Sequence, residues 1–437
     1  MPSTKSRSLL GALLAAVFGF LTLEAPLLAA SEEKVLHTFN LTQTSKDGAW
    51  PYASLIFDAA GNLYGTTYYG GATNTCENSG CGTVFQLRPG TNGKWKEKVV
   101  HTFKYNRKDG VYPQSSLVFD AAGNLYGTTY AGGSANSCQN LGCGIVFKLT
   151  PGAGGTWTET VLHNFSWNDE DGFNPMAGLI FDGAGNLYGT TSAGGSYGEG
   201  TVFELTPQAG GTWTETVLHS FAGGSSDGAS PYAGVIMDAT GNLYGTTYAG
   251  GGSSFCKISR SSGCGTVFQL APGAGGTWTE TVLYIFPYFR SATGSHPYAG
   301  LISDAMGNLY GTTVNGGGHG YGSVFKLTPG AGGTWTEKVL HSFNDDDGDA
   351  PYGSLIFDAA GNLYGTTSGG ARAVGSVFKL LPGADGKWTE KVVHSFSSEG
   401  GGWNPHASLI FDAAGNLYGT TLDGGAYNDG TVFEITP

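Results

Sequence analysis

The seven residues GNLYGTT occur seven times, starting at Gly61, Gly123, Gly185, Gly241, Gly307, Gly361 and Gly415. A segment recurring every 54 to 66 residues marks one supersecondary unit stacked on copies of itself, so the chain reads as one repetitive body rather than several independent domains. In the first copy Ser54–Asp58 (SLIFD) is a short apolar run, Asp58–Gly61 is a turn, and Asn62–Thr67 resumes as a second strand. Gly82–Leu87 (GTVFQL) supplies a third strand, Pro89–Lys94 a Gly-rich turn, and Trp95–Phe103 (WKEKVVHTF) a fourth. Four short antiparallel strands repeated seven times predict an all-β, seven-bladed β-propeller of four-stranded blades. The 75 glycines and 13% aromatic content fit a turn-rich chain whose rings supply much of the buried surface.

A solenoid is the rival arrangement, and the two ends of the chain argue against it. The last repeat stops at Gly430–Pro437 (GTVFEITP) without a fourth strand, whereas Val35–Phe39 (VLHTF) matches Val99–Phe103 (VVHTF). The N-terminal strand is therefore expected to complete the last blade as its outermost strand, closing the ring and leaving no open sheet edge there. Each GNLYGTT is then the second strand of a blade, and its glycine and threonines are expected to be small because blades approach closely at that point.

The first thirty residues read differently. Lys5 and Arg7 precede an apolar run from Leu9 to Leu23, and Ala29 and Ala30 close the segment, which predicts a secretory signal peptide at 1–30 and a single propeller over 31–437. An uncleaved anchor is the rival; the run falls short of the ~20 apolar residues a spanning helix needs, and Glu24 and Pro26 interrupt it. The formal charge of −13 becomes one unit more negative once the leader is removed, which disfavours nucleic acid and anionic membranes as partners. The six cysteines come as Cys76 with Cys81, Cys138 with Cys143 and Cys256 with Cys264, each pair within one loop, the pattern of three local disulfides in an extracellular or periplasmic protein. Zinc is the competing reading of these pairs, and the absence of histidine from all three loops speaks against it.

The unit DxxGNLYGTT, a GG step, G-[ST]-V-F-x-L and a following G-x-W resembles the GloVer tandem repeat family over essentially the whole mature chain. The shorter DxxGNLY portion is also similar to NHL-type propeller repeats. The GloVer resemblance implies extracellular location and a propeller-like repeat, and carries over no catalytic residue. Family members have variable C-terminal anchors; with neither a hydrophobic tail nor a sorting segment after GTVFEITP, no such anchor and no membrane insertion is expected of this chain.

Most repeated residues read as structural. His37, His101, His163, His219, His341 and His394 share one place in the fourth strand, with Tyr284 in the remaining copy. They cannot share a single metal, because sheets stack ~10 Å apart whereas the ligands of one ion lie ~4 Å apart, so they are expected to be hydrogen-bonded packing residues. The aspartates from Asp58 to Asp412, three residues before each Gly-Asn, are expected to accept turn N–H groups rather than to line a cation site. Trp95, Trp157, Trp213, Trp278, Trp335 and Trp388 read as blade-packing rings; a quinone cofactor has no assignable ligands. The acidic loops Asn168–Asp171 and Asp345–Asp349 offer oxygens of the kind calcium takes, but neither has the EF-hand spacing, so no cofactor or metal is assigned.

The variable connections, between strands two and three and between blades, are expected to emerge on one face, and function is sought there. The loops between blades share a DGxxP outline crowded with aromatic residues. Trp50, Tyr52, Tyr112, Trp167, Phe173, Tyr232, His296, Tyr298, Tyr352, Trp403 and His406 are the candidate ligand-binding residues, flat rings beside Asp, Asn and Gln that suit sugar faces and hydroxyls. The expected protein is a monomeric, non-catalytic binding or scaffold propeller whose partner is an extracellular glycan or a cell-surface protein. The alternative is a carbohydrate-active or lactonase-like enzyme at the mouth of the channel, built on one-off groups such as Arg290, His296, His319, His406 and Asp349.

Overall fold

The computed structural model describes residues 31–42, 46–71, 76, 79–134, 138, 141–252, 256–258, 261–288, 291–370 and 374–437. The expected leader and Arg290 lie outside these residues. The described chain forms seven four-stranded antiparallel sheets, with no α-helix among the described residues. In the first blade Ile56–Phe57, Leu63–Thr67, Thr83–Pro89 and Trp95–Thr102 lie side by side in that order, and the other blades repeat it. The ring closes as the sequence requires: Glu32–Thr38 pairs antiparallel with Thr431–Thr436, Glu32 opposite Thr436 and Thr38 opposite Thr431.

The seven-residue motif is explained atom by atom. Asp58 Oδ1 accepts the N–H groups of Ala60 and Asn62, while Oδ2 accepts Asn62 Nδ2 at 2.7 Å and the Tyr64 hydroxyl at 3.2 Å. One carboxylate thus satisfies the hairpin and anchors two motif side chains, and Gly61 takes the positive φ of 79° that the turn needs. The first threonine reaches the next blade: Thr66 Oγ1 donates to Ser115 O at 3.2 Å, and Thr420 closes the circle by donating to Pro51 O at 3.0 Å. The first threonine therefore stands where blades approach, as expected, whereas the second, Thr67, bonds within its own blade to Tyr69 O and Thr83 Oγ1.

The motif glycine is small for a different reason from the one expected. A Cβ on Gly65 would meet Phe85 Cζ at 2.6 Å, and Phe85 is its cross-strand partner in the same blade. The crowding comes from the aromatic ring lying across the glycine, not from the neighbouring blade. That ring is fully buried and receives Phe39 of the preceding blade edge-on at 5.1 Å, an arrangement repeated at Phe103 with Phe147 and on to Phe396 with Phe433. On the outer strand Trp157 packs against Tyr64, and Trp95 against Tyr418 across the closure.

The turn carboxylates predict an acid limit to stability. Desolvation opposes ionisation of Asp238, but hydrogen bonds from Asn242 and Thr240 together outweigh it and hold the carboxyl down at about 2. Asp58, Asp120, Asp304, Asp358 and Asp412 are lowered in the same way. Because the folded pKa is below the unfolded one, this stabilisation is present above the unfolded value of 3.8 and is lost as pH falls toward 2. Thermal unfolding followed from pH 5 to pH 2 should show the melting temperature falling in that window, and Asp238→Asn should reduce the fall; an unchanged profile would remove the turns as its source.

Candidate functional site

The connection entering each blade and the connection leaving its second strand emerge on the same face and pair with each other. Gly48–Ala49 pairs with Tyr69–Gly70 as a two-residue ribbon, and equivalent ribbons join Gly110–Val111 to Ala131–Gly132 and Gly172–Phe173 to Ala193–Gly194. The residue before each DGxxP proline is then forced into the left-handed region, with φ of 56° at Trp50, 61° at Tyr112, 57° at Asn174, 55° at Ser230, 57° at His296, 50° at Ala350 and 61° at Asn404. Seven strained non-glycine residues at one structural position must be held by their surroundings. The Tyr112 N–H donates to Cys81 O of the preceding blade at 2.9 Å, and the Tyr130 N–H of its own blade donates to Tyr112 O at 3.1 Å. The same two backbone bonds recur around the ring, from Trp50 to Asn404.

The residue after each proline faces the axis. Tyr52, Gln114, Met176, Tyr232, Tyr298, Tyr352 and His406 line one cavity of about 140 Å³ at the mouth of the channel. Their rings touch in sequence: Tyr52 to His406 at 5.9 Å, His406 stacked on Tyr352 at 4.2 Å, Tyr352 to Tyr298 at 5.1 Å, and Tyr298 to Tyr232 at 5.2 Å. Gln114 and Met176 interrupt this belt in the second and third blades. Beside the interruption lies a larger groove of about 490 Å³, which shares Tyr232 with the axial cavity and is walled by Tyr130, Trp167, Phe173 and Tyr248, with Asn174, Ser192, Glu199 and Ser230 among its polar groups.

The eleven candidates named from sequence therefore divide. Tyr52, Tyr232, Tyr298, Tyr352 and His406 line the axial mouth, and Trp167, 58% exposed, lies with Phe173 and Tyr232 in the groove. Trp50, 37% exposed, packs on Tyr69, and the half-buried Trp403 sits in a ribbon opposite Asp423. Tyr112, 7% exposed and stacked on Tyr68, and His296, 1% exposed against Tyr248, are buried behind the surface. Sequence reasoning missed Tyr68, Tyr130 and Tyr248, which occupy the variable position directly after GTT; an aromatic residue there in three copies was the available signal.

Among the described residues, the groups suggested for catalysis differ in their surroundings. Burial lowers His296 and His406 to about 4, so both rings are neutral at pH 7. His406 Nε2 lies 3.0 Å from Asn404 Oδ1, His319 is exposed, and Asp349 is bridged through its backbone to Gly369. In the acidic loops, Asn168 Oδ1 accepts the N–H groups of Glu170 and Asp171, and the Asp347 carboxylate accepts the Asn344 N–H and its side-chain amide. The disulfides stand as expected, Cys76–Cys81, Cys138–Cys143 and Cys256–Cys264, with Cα–Cα distances of 5.3, 5.2 and 5.3 Å.

Comparison with solved structures gives a fungal alcohol oxidase, solved in complex with copper, at 16% identity and a TM-score of 0.52, covering 92% of this chain and 77% of that one. A Thermus thermophilus protein described as a putative oxidoreductase (glucose dehydrogenase) is 18% identical with a TM-score of 0.40, covering 74% of this chain and 96% of that one. At such identities the likeness is one of fold alone. A search of curated proteins found no match. The model of the Gloeobacter/Verrucomicrobia repeat matches residues 27–142, 136–260 and 253–437 in tandem. With the repeat matched across the whole propeller and its motif residues accounted for in every blade, the chain belongs to the Gloeobacter/Verrucomicrobia repeat family.

Proposed function

We propose that this is an exported, non-catalytic propeller that binds polysaccharide along the groove between its second, third and fourth blades. The observation that carries the reading is the groove of about 490 Å³, walled by Tyr130, Trp167, Phe173, Tyr232 and Tyr248 where Gln114 and Met176 break the aromatic belt. Its volume lies within the ~300–1,000 Å³ typical of ligand sites. The Trp167 and Phe173 rings lie 5.6 Å apart and 31° from coplanar, which offers a continuous apolar floor to the face of a sugar ring. Neighbouring amide and hydroxyl groups of Asn174, Ser192 and Ser230 supply partners for sugar hydroxyls. Three disulfide-closed loops on an acidic chain support export to an oxidising compartment.

A glycan array probed with the mature protein tests the reading. Retention without released sugars is expected. Trp167→Ala with Phe173→Ala should reduce retention at least tenfold; Trp167→Ala by itself should leave the melting temperature nearly unchanged, because the exposed indole contributes little to the core, whereas Phe173 packs against buried residues and its loss should lower it. Undiminished retention in the double variant would move the site elsewhere, and released sugars would replace binding by catalysis.

A further inference from the structure

Six of the seven outer strands carry a histidine two residues before a buried phenylalanine, at a β-bulge that shifts the register between, for example, Val146 and Phe147. A bulge re-aims the side chain it carries. At three successive blade contacts the imidazole faces two carboxylates: His101 with Asp109 and Glu159, His163 with Asp171 and Glu215, and His219 with Asp227 and Glu280. The histidine comes from one blade, the aspartate from the connection that follows it, and the glutamate from the outer strand of the next blade. Within each group one ligand atom per residue lies within 4.8 Å of the others.

The imidazole–aspartate separations are longer than hydrogen bonds and match coordination, while the glutamate stands further off, Glu159 Oε2 lying 4.0 Å from His101 Nε2. His101 Nε2 lies 3.6 Å from Asp109 Oδ1, His163 Nε2 3.5 Å from Asp171 Oδ2, and His219 Nε2 3.4 Å from Asp227 Oδ2. Hydrogen-bonded N and O lie ~2.7–3.2 Å apart. Two ligands at ~2.1 Å from one tetrahedral ion lie roughly 3.4 Å apart. In the first group the facing atoms also have no hydrogen-bond partner. Asp109 Oδ1, His101 Nε2 and Glu159 Oε1 are buried with no hydrogen-bond partner, and the Asp109 side chain is only 8% exposed. Its other oxygen, Oδ2, accepts the Lys104 N–H at 3.0 Å, which fixes the carboxylate with Oδ1 turned toward the imidazole. In the second group His163 Nε2, Asp171 Oδ1 and Glu215 Oε1 are unpartnered while Asp171 Oδ2 accepts the Ser166 N–H and hydroxyl, and in the third His219 Nε2 and Glu280 Oε1 are unpartnered while both Asp227 oxygens accept backbone N–H groups.

At the ring closure the gap is shorter: His37 Nε2 makes a direct hydrogen bond with Asp47 Oδ2 at 3.1 Å, and His341 Nε2 stands 3.2 Å from Asp347 Oδ2. At the fourth contact Tyr284 replaces the histidine. No ion is shared between histidines, since each group uses one histidine and two acids.

We propose that the three contacts joining the first four blades each bind one divalent transition-metal ion of the zinc class through one imidazole and two carboxylates. Imidazole nitrogen with carboxylate oxygen is a donor set for zinc or its first-row neighbours rather than for calcium or magnesium. Asp109 and Asp171 directly precede the ribbon strands Gly110–Val111 and Gly172–Phe173, so an ion at each clips two blades together and anchors the loops of the aromatic face.

The mature protein, prepared without a histidine tag and dialysed against chelator, should take up three zinc ions per chain with a rise in melting temperature, one for each group. Cobalt(II) in place of zinc should give the visible d–d absorption of a nitrogen–oxygen site. His163→Gln should lower the zinc stoichiometry from three to two, and Glu215→Gln should weaken one site at least tenfold. Failure of the intact protein to retain zinc through gel filtration, or zinc uptake unchanged in a chain carrying His101→Gln, His163→Gln and His219→Gln, overturns the proposal. If a variant does not fold, zinc retention and the cobalt spectrum of the intact protein decide alone.

Discussion

A chain lacking residues 31–39 should lose cooperative unfolding and aggregate. The deletion removes the outermost strand of the last blade and leaves Thr431–Thr436 as an unpaired edge. It also removes Leu36 and the fully buried Phe39, whose ring packs on Phe85 of the first blade. Phe39→Ala by itself is expected to cost about 3–5 kcal/mol, the usual range for emptying a buried phenylalanine site. Urea unfolding of the intact chain, Phe39→Ala and the truncated chain separates the contributions. A truncated chain that melts like the intact one would mean that the N-terminal strand closes nothing.

Gly189→Ala should be clearly destabilising although it adds one methyl group. A Cβ there would lie 2.5 Å from Phe203 Cζ and 2.8 Å from Leu179 Cδ2. Phe203 is fully buried and packed edge-on by Phe165 at 5.2 Å, so the ring has no free direction in which to retreat. Overpacking of this kind costs about 1–3 kcal/mol, toward the upper end where the obstacle is a rigid ring. Phe203→Leu should be destabilising alone yet relieve part of the glycine substitution, giving a favourable coupling in a double-mutant cycle. Additive effects would show that the glycine is small for a reason other than the ring across from it.

Most of the fold was legible because its determinants are local and repeated. The count of GNLYGTT segments set the number of blades, the displaced VLHTF set the closure, and the Asp-x-x-Gly-Asn spacing set a turn whose carboxylate and donors lie within six residues of one another. The cysteine pairs, five and eight residues apart, were legible for the same reason.

What the sequence could not decide lies across strands and across blades. That Phe85 lies over Gly65 depends on pairing register, and that Glu159 reaches the carboxylate of Asp109 depends on two blades meeting at one angle. The candidate aromatic residues show the same limit. Trp167 and Tyr112 both occur in connections between blades, yet one is 58% exposed beside a groove and the other 7% exposed under Tyr68. A positive φ before proline and a two-residue ribbon send Tyr112 inward, and both are imposed by backbone bonds to another strand. By itself the sequence determined how many blades there are, their strand order and how the ring closes, because those follow from short-range pattern. The tertiary structure decided which side chains meet and which face solvent, because each of those outcomes is fixed by a hydrogen bond or a packed ring supplied from a distant part of the chain.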